Sequence, residues 1–461
     1  MKQTTFAQRL VSALVALCMV LSVCAPALAA NSSFILIQKS SGHPTPVTSD
    51  NIGKLLPGYS IAYNGNTVTI TMGGEAELEL DGVTFFGGGQ DLVFVYARNH
   101  PANIFMLDYP GVTISGMHNV TVQPGELKND AGGFNASLTI KDCDGDVNIS
   151  NPDKWAISGN LYVDNTKGTG NVTVTSGGGM NIPSCGALSP GTVVQIASNG
   201  AVKMENKLVN NALPGQVVYG TLNITQSASV VISGGGADGH AVIGYDPEFG
   251  TPRTHSITSS GGVQIAGISG RAVNGNLNVN AGEKVTIQSN GDTAIKGDAT
   301  IATDGMVDIA SGQAIAVEGN LTVSKSSSVS VIGNVSERNA VQKNADITSS
   351  GAVNIRNILG IAVGGKLTVK NDSGTGDVTV SGKGGNTVGR GAEITSRGAV
   401  NITNTDNTGL AVYGDLTVHD SKRVKVSGGN ASVPAVEGNI TLTSTGKMEL
   451  KNSNGQGTSK K

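Results

Sequence analysis

The sequence predicts an all-β fold, a single-stranded parallel β-helix (β-solenoid) built of coils of about 21–26 residues with an N-terminal β cap. Three observations predict it. A repeat returns along more than half of the chain, each repeat carries short apolar pairs at spacing two, and the composition suits frequent turns around a slim aliphatic core. The 65 glycines and the 4% aromatic content belong to that third observation, since neither favours one large globular core.

The elements follow in order. Residues 1–29 read as a signal peptide: Lys2 and Arg9 precede an apolar run from Leu10 to Val23, and small residues follow at Ala25, Ala27, Ala29 and Ala30. That run is shorter than the ~20 residues a membrane span needs. No later segment has the character of a span, so no membrane span is expected once the leader is removed. Residues 30–107 contain strand-like stretches, NTVTITM and AELELDGVTFF, without a clean period, and are expected to form a cap that covers the edges of the first coil. Residues 108–455 are expected to form the parallel β-helix, and 456–461 a polar tail.

The repeat is clearest from Val217 onward. Its unit is A-V-x-G, then L-x-V, a loop, V-x-V or V-x-I, and a second loop; Thr293 to Gln313 takes 21 residues and Ile361 to Asn386 takes 26. A spacing of two puts both members of a pair on one strand face. Leu321 with Val323, and Val329 with Val331, are therefore expected to point inward. Strands this short bury nothing alone, so each coil needs neighbours above and below. The length variation falls between the pairs, where corner loops tolerate it. Weaker copies at GVTISGMHNVTV, SLTIKDCDGDVNI and SGNLYVDNTKGTGNVTV extend the stack upstream to about 14 coils in all.

Composition excludes some partners. A net charge of −3 and 14% charged residues leave no basic footprint for nucleic acid. Two of the four cysteines fall in the leader; Cys143 and Cys185 remain, enough for one bond in an oxidising compartment but no disulfide framework.

The G-N-L-T-V and S-S-G-A-V-N-I cadence resembles right-handed parallel β-helices of the pectate-lyase-like superfamily and the repeats of filamentous-haemagglutinin-type adhesins. The resemblance covers about three quarters of the chain and is architectural. It implies surface attachment, carbohydrate binding or polysaccharide cleavage, and the fold alone does not choose among them.

Candidate chemistry sits on the outside. The middle residues of the L-x-V strands run Asn278, Thr300, Thr322, Asp346, Thr368, Glu393, Thr417, Thr441, and those of the V-x-V strands run Thr286, Asp308, Ser330, Asn354, Thr379, Asn401, Lys425, Glu449. These are hydroxyl and amide ladders interrupted by charge. The long coil from His240 to Gly270 carries an insertion with Tyr245, Asp246, Glu248, Arg253 and His255, types that make ligand or acid-base contacts. Asp142, Asp144 and Asp146 alternate within one tract, and such clustered oxygens suit calcium. No HExxH, GxSxG or GxxxxGK[ST] occurs, and all six histidines are isolated. Trp155, the single tryptophan, and the scattered tyrosines offer little for extended sugar stacking.

The expectation is a secreted or cell-surface, non-catalytic scaffold for adhesion or envelope interaction, meeting an extracellular glycan or another cell-surface component. A carbohydrate-binding module, calcium-assisted, comes second, and a polysaccharide lyase or hydrolase third.

Overall fold

The computed structural model describes residues 35–39, 42–73, 82–96, 111–125, 137–152, 156–157, 159–177, 193–207, 217–218, 220–234, 242–244, 253–371, 374–406, 409–429 and 433–452. The expected leader and tail lie outside them, as do Trp155 and Cys185. The protein is a parallel β-solenoid of about 13 turns, close to the 14 coils read from the repeat. The described residues fall into two compact units, the first running to Ser176 with 195–201 added, the second taking the rest. Among the described residues, no helix is long and apolar enough to cross a membrane.

The first unit opens with antiparallel pairings. Leu36–Gln38 pairs with Thr45–Pro46 and with Thr84–Phe86, and Tyr59–Asn64 forms a hairpin with Thr67–Met72. Parallel stacking starts upstream of residue 108: Thr67–Met72 receives Asp91–Tyr96, and Thr84–Phe86 receives Val112–Ser115. The two rows then continue in parallel through Leu138–Lys141 and Leu161–Asn165 on one side. On the other they continue through Val120–Pro124, Val147–Asn151 and Val172–Gly177. Large side chains fill the interior, with Phe85 and Phe94 in edge contact at 5.9 Å between ring centres.

In the second unit the repeat maps directly onto geometry. The L-x-V pairs form one parallel sheet, in which Leu277, Ala299, Leu321, Ala345, Leu367, Ala392 and Leu416 are successive partners. The V-x-V pairs form a second, through Val285, Val307, Val329, Val353, Val378, Val400 and Val424. The A-V-x-G segments add a third side, where Val273, Ile295, Val317 and Val341 bridge in parallel, and Val363, Val388, Val412 and Val436 continue the line. Leu321, Val323, Val329 and Val331 are all buried, as the alternation requires. Each fully buried aliphatic of this size contributes about 1.5–3 kcal/mol by leaving water. At the last described coil the same positions open up: Ile440 and Leu442 are half-buried and Met448 is 50% exposed.

Two features of the corners hold successive coils close. The glycine of A-V-x-G allows coils to touch, because a Cβ at Gly297 would run into the carbonyl of Gly275 one coil below. Inside the bends, buried asparagines donate to the carbonyls of the turns. Asn371 Nδ2 donates to the carbonyls of Gly351 and Gly376, both at 2.9 Å, and Asn404 Nδ2 serves Gly385 and Leu410 in the same way.

Candidate binding surface

The outward ladder of the L-x-V sheet is in exact register. Asn278, Thr300, Thr322, Asp346, Thr368, Glu393, Thr417 and Thr441 follow one another as cross-strand partners, one per coil. Alternation puts them on the side opposite the buried leucines, so period two alone produces a continuous polar stripe.

Beside this stripe runs a second column that sequence reasoning did not single out. The residue immediately before each L-x-V pair is Asn276, Asp298, Asn320 and Asn344 in successive coils, and each side-chain oxygen accepts the backbone N–H of the next coil's counterpart. The distances are 2.9 Å for Asp298 to Asn276, 2.7 Å for Asn320 to Asp298, 3.3 Å for Asn344 to Asn320 and 2.9 Å for Lys366 to Asn344. The ladder stops at Lys366, whose side chain has no acceptor to offer the next coil, and resumes at Asp415, which accepts from Asn439 at 2.7 Å. The signal was present as the N of the G-N-L-T-V cadence. The Asn-Leu-Thr sequon at Asn320 has the same origin, since its Asn and Thr are the two outward residues flanking one buried leucine.

Between the two columns lies a groove of about 470 Å3, lined by Asp298, Thr300, Asn320, Thr322, Asn344, Asp346, Lys366 and Thr368 over a floor at Ala299, Leu321 and Ala345. At its end Lys366 Nζ is 2.8 Å from Glu393 Oε2, and that bond holds the Glu393 carboxyl below the usual carboxylate range. Asp346 is exposed and pairs with no described residue. The groove thus offers carboxylate and hydroxyl acceptors, amide and hydroxyl donors, one ammonium group and no aromatic platform.

The other candidates are placed elsewhere. Of the insertion, Tyr245, Asp246 and Glu248 lie outside the described residues. Arg253 Nη1 donates to Thr221 Oγ1 at 3.1 Å. His255 departs from the expectation of a surface contact: it is fully buried, in register with Leu277 in the aliphatic column. Its Nδ1 receives the N–H of Leu222 and its Nε2 faces the carbonyl of Asn274, both at 3.3 Å. A neutral ring protonated on Nε2 satisfies both contacts. Burial pushes its pKa down to about 4, and Arg253 adds to the effect.

Asp142, Asp144 and Asp146 each turn to a separate partner. Asp142, in the left-handed region at φ 58°, meets Lys167 at 3.0 Å and the Ser115 hydroxyl at 3.1 Å. Burial raises its carboxyl, and Lys167 and Ser115 outweigh that to leave it below the usual range. Asp144 is 2.7 Å from His118 Nδ1, a bond that lifts the imidazole above its ordinary value. Asp146 accepts the N–H of Asn171 at 2.8 Å, as a rung of another corner ladder. Among the described residues, no group of three or more His, Cys, Asp or Glu is gathered to hold a metal ion. Cys143, between these acids in sequence, is buried, and burial drives its thiol up to about 12. Tyr162 and Tyr413 are exposed singly, with Tyr413 on the A-V-x-G side.

Comparison with protein-family models, curated proteins and solved structures returned no match.

Proposed function

We propose that this chain is an exported or cell-surface scaffold without catalytic activity, whose outer faces engage a glycan or another component of a cell envelope. The observation that carries the reading is the strict division of labour in each coil. Short of the last described coil, the L-x-V and V-x-V pairs of the regular repeat are aliphatic and sealed, and the outward positions are held in register as polar ladders, so the variable chemistry lies on the exterior. Stacked coils of this kind supply rigid presentation, and the site must be sought on their faces. The leader-like residues 1–29 support export. The resemblance of the repeat to surface adhesins and pectate-lyase-like β-helices supports an extracellular setting.

The test is to fractionate producing cells and to measure binding of the purified chain to isolated envelope material. Recovery outside the cytoplasm with saturable binding and no release of unsaturated or reducing sugars is expected. Cytoplasmic retention, absence of envelope binding or turnover of a polysaccharide would overturn the proposal.

A further inference from the structure

We infer that the groove between Asp298 and Thr368 binds an uncharged, hydroxyl-rich saccharide chain laid across successive coils, with Asp346, Thr322 and Thr368 as its principal contacts. The inference rests on the exterior-binding reading above and adds the site, the ligand class and the ligand's direction.

The direction comes from the repeat. Parallel strands are spaced ~4.8 Å apart, close to the length of one pyranose unit in an extended chain. A glycan running along the stacking direction therefore meets one coil per sugar, and each coil presents an outward residue of the ladder together with a corner residue. A chain laid along a strand would cross only one coil and then leave the groove at the corner.

The ligand class comes from the charges. Asp298, Asp346 and Glu393 are acidic; Lys366, the one cation lining the groove, is bonded to Glu393, and Lys370 acts on the same carboxylate. A uronate or sulfated polymer would bring like charge against this surface, which costs binding to that competitor. A neutral sugar suffers no such repulsion, and its hydroxyls donate to the carboxylate in charge-assisted hydrogen bonds. Asp346 is suited to this because its carboxylate is exposed, unpaired among described residues, and flanked in register by Thr322 and Thr368. Asp298 has a structural duty as well, since its Oδ1 holds both the N–H and the Nδ2 of Asn320. Each hydrogen bond at an exposed surface is weak alone, so affinity accumulates over several coils.

The experiment titrates the intact chain with neutral gluco- and manno-hexasaccharides and with polygalacturonate, in EDTA and in calcium. The expected result is binding of a neutral oligomer independent of calcium, weakened about tenfold by Asp346→Ala at an unchanged melting temperature. Thr322→Ala combined with Thr368→Ala is expected to weaken it several-fold, and Asp346→Lys to raise the relative affinity for polygalacturonate. Preference of the wild-type chain for polygalacturonate overturns the ligand class, and neutral-glycan binding unaltered by Asp346→Ala overturns the site. Saturable envelope binding without affinity for any neutral oligomer overturns this inference alone; loss of envelope binding as well takes the exterior-binding reading with it.

Discussion

The two units reach the same stacked geometry with different materials. The first buries Tyr59, Phe85, Phe94 and Met117, and its aromatic rings contact at 5.9 and 6.4 Å. The described core of the second contains no Phe, Tyr or Trp, and the paired positions of its regular coils are filled by Val, Ile, Leu and Ala. Bulky rings fill the irregular space left where antiparallel and parallel pairings meet. Small branched residues let each coil accept an almost identical neighbour. The corner ladders differ too. In the first unit Asp91, Asn119, Asp146 and Asn171 stack ahead of the V-x-V row, whereas in the second Asn276, Asp298, Asn320 and Asn344 stack ahead of the L-x-V row. The same hydrogen-bonding device can therefore occupy either corner, and the corner it takes decides which face gains a polar rim.

Substitutions can break this comparison, beginning with the largest effect. Leu321→Asp with Val323→Asp places two carboxylates in the sealed column and should cost on the order of 5 kcal/mol or more. Loss of the folded β signature in circular dichroism, with new protease cleavage near this coil, is the expected result; wild-type stability would refute the assigned faces. Phe94→Ala should cost about 3–5 kcal/mol in a denaturant melt, because the rigid surroundings cannot close over the lost ring. A smaller loss than for Leu367→Ala would show that the aromatic core is not what holds the first unit.

His255 tests the second unit's aliphatic rule. Its folded pKa lies near 4 against 6.5 unfolded, so the unfolded chain binds the extra proton between those values and stability falls as pH drops from 6.5 towards 4. That loss amounts to about 3 kcal/mol. No carboxylate stands in the flanking strands Thr221–Gln226 and Asn276–Ala281, and the charged neighbour is Arg253, just ahead of the strand Thr254–Ser259 that carries the ring. His255→Leu restores the column's own residue type and should remove that portion of the pH dependence; identical pH profiles for both proteins would contradict it. Asn371→Ala removes one donor from each of the Gly351 and Gly376 carbonyls, leaving them the Ser349 and Ser396 hydroxyls, and should cost about 1–3 kcal/mol. Smallest is Thr322→Ala, with a change within about 0.5 kcal/mol in a thermal melt. A larger loss would mean that the outward stripe supports the fold as well as presenting chemistry.

Much of this architecture was legible in one dimension. Period two within each pair and the return after two dozen residues place Leu321, Val323, Val329 and Val331 inside and Thr322 and Ser330 outside, with no other information. The ladder through Asp346 and Thr368 was readable for the same reason. The groove was not, because its second wall is formed by corner residues whose role appears only when Asp298 meets the N–H of Asn320, 22 positions away. The tract Asp142, Asp144 and Asp146 looked like one cluster along the chain, yet stacking brings Lys167, His118 and Asn171 from neighbouring coils to claim the carboxylates separately.

Local alternation and a fixed repeat length thus determined the strands, their faces and the stacking, because those depend on neighbours in sequence and on the need to bury a shared apolar column. The concave polar face, the burial of His255 and the partners of each carboxylate were decided by the tertiary structure. They depend on contacts between residues about one coil apart, and the register of one coil on the next sets those contacts.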